Sequence, residues 1–420
     1  MRKKTAVLPL AALTAVALGL TGCSTGGSDN GGDSSTLTIS GWSGDETMDA
    51  LIAQFEKDNP GVTVKHTGLP WPEILTQINT EIVSGTASDV VVVFPGNGNP
   101  ITAHTLAKGN YLEDLSAQNW TENFNDANQA VMGADDKVLM GSNNFTIIPA
   151  TYNTQALEAL GATAPTTWSE VLDLCDTAQK KGKVAYALAG LAGGTYNYLA
   201  YALTSTLVNG ATPDFPEQQA AGDATFSDSE WATAFDKYLE MMDAGCFTPD
   251  ALGTSLEIAQ GAVAKGDAVG IVTVSNQISD IEGLAPEGTT FETAPLPATD
   301  DASETVLPVG LGSGYGVNAK GKNVELAKKF MEFYMSQEGL DVALKAGSIF
   351  PSVPVEGFTP IPALEGVTEQ AQSEKTAAFP DQTWPSASTT QVFQDQLQML
   401  LGGQTTVPDA LAAMDAAYKG

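Results

Sequence analysis

The chain has 420 residues, 43% apolar and 7% aromatic, which is enough for a large core and argues against global disorder. Its 19 basic and 50 acidic residues give a formal net charge of −31, so nucleic-acid phosphates and anionic membrane surfaces are repelled and neither is an expected partner. The length predicts roughly two to four domains, or two large lobes.

Arg2, Lys3 and Lys4 precede an apolar run from Ala6 to Leu20, interrupted by Pro9. The run is short for a bilayer span and ends in small residues, the pattern of a secretory signal peptide. Leu20-Thr21-Gly22-Cys23 resembles the bacterial lipobox, in which the cysteine becomes the first mature residue and carries lipid. The alternative is an ordinary secreted protein with a chance cysteine. On the lipobox reading, residues 1–22 are a leader, and lipid on Cys23 is the only attachment to the cell membrane. Ser24 to Ser35 contains only Gly, Ser, Thr, Asp and Asn, so residues 23–35 read as a lipidated flexible tether. A coil of that length reaches roughly 20 Å. Removing the leader takes away Arg2, the only arginine, and leaves 16 basic residues against 50 acidic ones, a net charge of −34.

Leu37 and Ile39 alternate with polar residues as in a strand, and Met48, Leu51, Ile52 and Phe55 follow at helical spacing until Asn59-Pro60-Gly61. Val62 and Val64 alternate again, then Ile74, Ile78 and Ile82 mark a second helix closed by Gly85. Val90 to Phe94 is an unbroken apolar run, as in a parallel strand buried on both faces. Strand, helix, strand, helix, strand predicts a doubly wound α/β body whose ligand loops lie beyond the strand C-termini, here residues 41–45 and 95–99. A second α/β region begins near residue 150. Thr167-Trp168-Ser169-Glu170 fits a capping box before Val171, Leu174, Cys175 and Ala178. Trp231, Phe235, Tyr238 and Met242 mark another helix, Gly270 to Val274 a strand, and Val324, Ala327, Phe330 and Tyr334 a late helix. Cys175 and Cys246, left over in an exported chain, suggest one disulfide, with two buried free thiols as the alternative.

Catalytic and metal-binding signatures are missing from the sequence. His66 and His104 are the only histidines and read as surface residues; no H-E-x-x-H, Cys-x-x-Cys or paired-His spacing occurs, so no metal and no cofactor is expected. Neither a P-loop nor a G-x-S-x-G elbow is present. Gly310 to Gly316 is glycine-rich without nucleotide-binding spacing and reads as a turn between strand and helix. Without arginine, the bidentate recognition of phosphate or carboxylate is unavailable to the mature chain. A neutral polyhydroxylated ligand needs Asn, Asp, Gln and Ser together with aromatic faces, and the candidate loops supply them.

Several segments in order carry a resemblance: Leu37 to Trp42 with Ala53 to Gly61, Ala87-Ser88-Asp89-Val90-Val91, Tyr152-Asn153-Thr154 with Pro165 to Glu170, Gly310 to Asn318, and Gly402 to Leu411. Together they resemble the extracellular solute-binding proteins of family 1, the sugar-binding components of ABC importers. The resemblance implies a two-lobed α/β periplasmic-binding-protein fold of type II, each lobe a sheet flanked by helices, joined by hinge crossovers near 146–151, 292–298 and 347–352. The first lobe would comprise 36–147 and 297–348, and the second 148–296 and 349–420. It implies a non-enzymatic, monomeric, extracytoplasmic receptor without a cofactor, which takes a sugar, and an oligosaccharide in particular, between its lobes and delivers it to permease subunits. A receptor for another neutral polar solute, or a secreted glycan-active hydrolase, is the alternative.

The same resemblance implies ligand positions. They are Trp42, Ser43, Gly44 and Asp45 after the first strand, Gly96 and Asn97 after the third, and Asn144 and Thr146 before the Tyr-Asn pair. In the second lobe they are Tyr196 and Asn197 with Tyr198 beside them, Asn276 in place of a tryptophan, and Trp384. Trp71 and Ser313 complete the set. Trp168 and Trp231 lie on helix stripes and read as core. Trp42 and Trp384 are open between site and core, and Asp45 between ligand group and helix cap.

Overall fold

The computed structural model describes residues 35–70, 73–191, 195–347 and 350–419, so the expectations for Cys23 and Trp71 fall outside the described residues.

The first sheet is built as the periodicity predicts. Strands Thr36–Trp42, Thr63–Leu69 and Val90–Val93 run parallel with the first in the middle, and Gly314–Val317 joins antiparallel beside Val90–Val93. All four valines of Val90–Val93 are buried, which is why no polar residue interrupts them. Helix Glu46–Asp58 turns Met48, Leu51 and Phe55 inward, and helix Glu73–Ser84 turns in Ile74, Ile78 and Ile82. Asp89 is buried at the start of the third strand. It accepts hydrogen bonds from Thr38 N (3.0 Å), Thr38 Oγ1 (2.6 Å) and Asn323 N (2.9 Å), which clamp the first strand to the late segment.

The second sheet orders its strands Phe291–Ala294, Ala150–Asn153, Ala268–Val272, Val184–Ala187. Ala150–Asn153 is antiparallel to both of its neighbours, and Val184–Ala187 lies parallel to Ala268–Val272. Helix Trp168–Lys180 begins at the expected capping box, Thr167 paired with Glu170, and buries Val171, Leu174, Cys175 and Ala178. Trp168 and Trp231 are core residues, as their stripes predict. Cys175 and Cys246 form a disulfide.

A third, small sheet joins the two bodies: Leu307–Leu311 pairs antiparallel with Phe145–Ile147 and parallel with Thr376–Ala377. It corrects the expected boundaries. Leu296 and Ala298 lie in the second core, and Asp300 accepts from Ser169 N at 2.8 Å, so the chain stays with the second body until Leu307–Leu311. The return implied at 297 is about ten residues early, because Leu296 and Ala298 pack in the second core before the chain crosses. Likewise Pro351 bridges Asn144 and Val353 belongs to the first core, so the final crossing lies beyond 349. The glycine-rich stretch is also two strand ends rather than a turn: a Cβ on Gly314 would stand 1.9 Å from the Gly141 carbonyl.

Candidate functional site

After Trp42 the chain bends through Ser43 and Gly44 (φ 71°) into helix Glu46–Asp58. Asp45 is the N-cap: its Oδ1 accepts from Met48 N at 2.9 Å. Burial raises its pKa, against the Met48 N–H and His66, which lower it. The capping alternative is therefore the one seen. His66 is not simply a surface residue, since it is half-buried and pairs with Asp49 at 3.5 Å. Ser43 is exposed, with its backbone N–H given to Leu69.

Trp42 is half-buried, edge-on to Phe94 at 5.9 Å, and its Nε1 donates to Ser313 Oγ at 3.3 Å. Ser313 adjoins Gly312, whose N–H donates to the Asn144 carbonyl at 3.0 Å, and a Cβ there would stand 2.1 Å from Asn144 Oδ1. Asn144 is half-buried and donates to Asn143 Oδ1, whereas Thr146 is buried in the connecting sheet opposite Gly310. The structure thus brings Trp42, Asn144, Thr146 and Ser313 to one place, the first body's end of the connecting strands.

Gly96 and Asn97 stand elsewhere. Gly96 has φ 71°, and a Cβ on it would come within 2.2 Å of the Gln382 carbonyl, so only glycine lets the two backbones approach this closely. Asn97 is 4% exposed, its Nδ2 donating to the Pro385 carbonyl and its Oδ1 accepting from Thr105 Oγ1 at 3.0 Å. Its amide is consumed in joining the first body to the C-terminal segment, which corrects the expectation of a free ligand group.

Two aromatic expectations in the second body also change. Tyr196 is 5% exposed and opens helix Tyr196–Thr204 rather than sitting in a loop; burial pushes its hydroxyl up to about 12. Trp384 is 3% exposed, edge-on to Phe226 (5.7 Å) and Phe393 (5.4 Å) and tilted against Trp231 (6.1 Å). Its indole is core because the stretch around it completes an aromatic cluster. Asn197 and Tyr198 are half-buried, and Asn276 is exposed in the turn after Ala268–Val272.

A cavity of about 790 Å³ opens where Asn97 meets Pro385. His104, Lys108, Gln129 and Asp136 line it on the first body's side, and residues 383–385 close it on the other. His104 Nε2 is 2.7 Å from the Ala130 carbonyl. Trp42, Asn144, Ser313 and Asn276 do not line this cavity. Sequence reasoning missed Asp381 and Gln382, which face Gly98 and Gly96 across the same seam. Their only signal is Pro380 opening the four-residue helix Pro380–Thr383.

Among the described residues no group of three or more His, Cys, Asp or Glu is placed to hold a metal ion, and no helix is long and apolar enough to cross a membrane. The multiple sugar-binding protein of Streptococcus mutans serotype c is 24% identical over 333 residues, covering 75% of this chain and 76% of its own length. A solved structure of a chitin oligosaccharide binding protein superposes with a TM-score of 0.77 at 18% identity, covering 92% of this chain and 98% of that one. The solute-binding protein RafE in complex with raffinose gives 0.75 at 20% identity, covering 91% and 98%. The two solved structures share the fold. The sequence model of the bacterial extracellular solute-binding proteins matches residues 41–340, most of the chain, and spans both bodies and the strands that connect them. The chain belongs to the bacterial extracellular solute-binding protein family.

Proposed function

We propose that this protein captures a sugar, specifically an oligosaccharide, between its two α/β bodies and delivers it to the permease of an ABC importer, without catalysis. The carrying observation is that the half-buried Trp42 indole stands beside Ser313 and Asn144 at the first body's end of the strands that connect the two bodies. An aromatic face with hydroxyl and amide groups beside it supplies stacking surface together with donors and acceptors for sugar hydroxyls. The relatives named for multiple sugars, chitin oligosaccharide and raffinose support the same ligand class.

We assign the half-buried Trp42 as the stacking face, with Ser313 and Asn144 beside it as hydrogen-bonding groups. Asn197 and Asn276 are the polar contributors we assign to the second body. The lipobox around Cys23 supports an extracytoplasmic protein anchored by lipid.

Calorimetry with raffinose, chitin oligosaccharides, malto-oligosaccharides and their monosaccharides tests the reading. Saturable binding of at least one oligosaccharide, weakly dependent on ionic strength, is expected because no arginine is present after the leader. Failure of the whole panel alongside tight, salt-sensitive binding of a phosphate or carboxylate ligand would overturn it. Conversion of a bound oligosaccharide to shorter products would replace transport with hydrolysis. Replacing Cys23 with Ala should release the protein from the membrane or leave it unprocessed, and full processing with unchanged retention contradicts the anchor.

A further inference from the structure

The segment 381–385 sits on the seam between the two bodies, and its first residue is an ionisable group in an unusual place. Asp381 Oδ1 is buried and has no hydrogen-bond partner among the described residues. The other oxygen lies under the first body's loop: a Cβ on Gly98 would stand 2.8 Å from Asp381 Oδ2. From the second body, Tyr198 and Tyr201 of helix Tyr196–Thr204 face the carboxyl. Burial pushes both hydroxyls up, Tyr198 to about 12, so neither carries charge at neutral pH. Gly98 brings no ionisable side chain from the loop, and Gln382 beside Asp381 is neutral. The titratable groups of the adjoining cavity, His104, Lys108, Asp126, Asp135, Asp136 and Lys137, are not among the groups acting on the carboxyl.

We propose that Asp381 is a pH-sensitive latch on this seam: the loop Gly96–Gly98 seats on 381–385 when the carboxyl is protonated and lifts away when it ionises.

The physical reason is desolvation. An ionised carboxylate held between a glycine loop and two neutral tyrosines loses part of its water, with Oδ1 buried in a half-buried residue, and gains no cation. Burial accordingly raises its pKa from 3.8 to about 6, although the Tyr201 hydroxyl and the backbone N–H groups of Asp381 and Gln382 pull it down. When the bodies part, water reaches the carboxylate and its pKa relaxes toward the ordinary value. A folded-state pKa raised by contact means that the contact is favoured at low pH and weakens as pH rises toward and through 6. A shift of about two units corresponds to a change of up to about a hundredfold in the ratio of seated to lifted molecules. The latch acts with or without solute and does not depend on which solute is carried.

Small-angle scattering of the mature protein without sugar, at pH 4.5 and 7.5 and constant ionic strength, tests the latch against Asp381→Asn. The wild-type radius of gyration should rise between the two pH values, while the Asn variant, which keeps the shape and cannot ionise, stays at the low-pH value. Because the other carboxylates titrate equally in both proteins, a general charge expansion would appear in both. An unchanged wild-type radius, or an Asn variant that follows the wild type, overturns the proposal. Should the variant not fold, carboxyl-carbon NMR of the wild type reads Asp381 directly: a midpoint near 6 supports the latch and an ordinary midpoint near 4 refutes it.

Discussion

Gln382 donates its side-chain N–H to the carbonyl of Leu311 at 3.0 Å, and both residues are buried. Leu311 ends the strand that carries the chain back to the first body, and Gln382 lies between Asp381 and the core tryptophan Trp384. One amide therefore connects the crossing strand, the seam and the second core. Replacing Gln382 with Leu leaves the Leu311 carbonyl buried without that donor, at a cost of about 1–3 kcal/mol. Urea unfolding should show a lowered midpoint with an unchanged slope. A midpoint equal to wild type would mean that the carbonyl finds another donor.

The disulfide closes a separation of 71 residues between helix Trp168–Lys180 and the turn after helix Trp231–Asp243. In the chain-entropy account that is about 4 kcal/mol of stability, less where the reduced unfolded chain retains structure. The double variant Cys175→Ser, Cys246→Ser should unfold at lower urea, and reductant should move the wild type in the same direction. Two alkylatable thiols in the denatured, non-reduced mature protein would contradict the pairing.

The first α/β body was legible in the sequence because each element carries its own period. Ile74, Ile78 and Ile82 have no reason to recur every four residues except a helix with one buried face, and the run Val90–Val93 needs two buried faces. The capping box at Thr167 was legible for a similar local reason. What was not legible depends on residues far apart in sequence. Tyr196 follows glycines and looks like loop, yet it is buried because Tyr238 donates to its carbonyl at 3.0 Å across the second core. Asn97 looks like a ligand group until Pro385, 288 residues on, accepts its amide proton. Asp381 and Gln382 sit in a helix too short to show a period. Trp42 reads in the sequence as either site or core, and its half-buried indole beside Ser313 retains something of both.

Asp89 is a buried carboxylate serving three donors from two distant segments, Thr38 and Asn323. Removing it by Asp89→Ala strands those donors inside the first body, and hydrogen bonds to a charged acceptor are the stronger kind, so a loss of about 3 kcal/mol is expected. Asp89→Asn keeps the shape and one acceptor oxygen and should cost less. Thermal unfolding of the two variants side by side checks the order; an Ala variant as stable as the Asn variant would show that the donors find water instead.

The two tryptophans that were open between site and core give the sharpest comparison. Trp384 is enclosed by Phe226, Trp231 and Phe393, so Trp384→Ala empties a well-filled aromatic cluster and should cost about 3–5 kcal/mol of stability. Trp42 is half-buried with one edge against Phe94, so Trp42→Ala should change stability by only about 1 kcal/mol. Its expected effect is on binding: losing the stacking face and the indole beside Ser313 should weaken the oligosaccharide by about 1–2 kcal/mol, roughly five- to thirtyfold. Urea unfolding and calorimetry on both variants separate the two roles, provided that the Trp384 variant is measured where it remains folded. If Trp42→Ala binds every sugar as well as wild type while Trp384→Ala keeps its stability and loses the ligand, the two assignments are reversed and the indole of Trp384 must leave its cluster to meet the sugar.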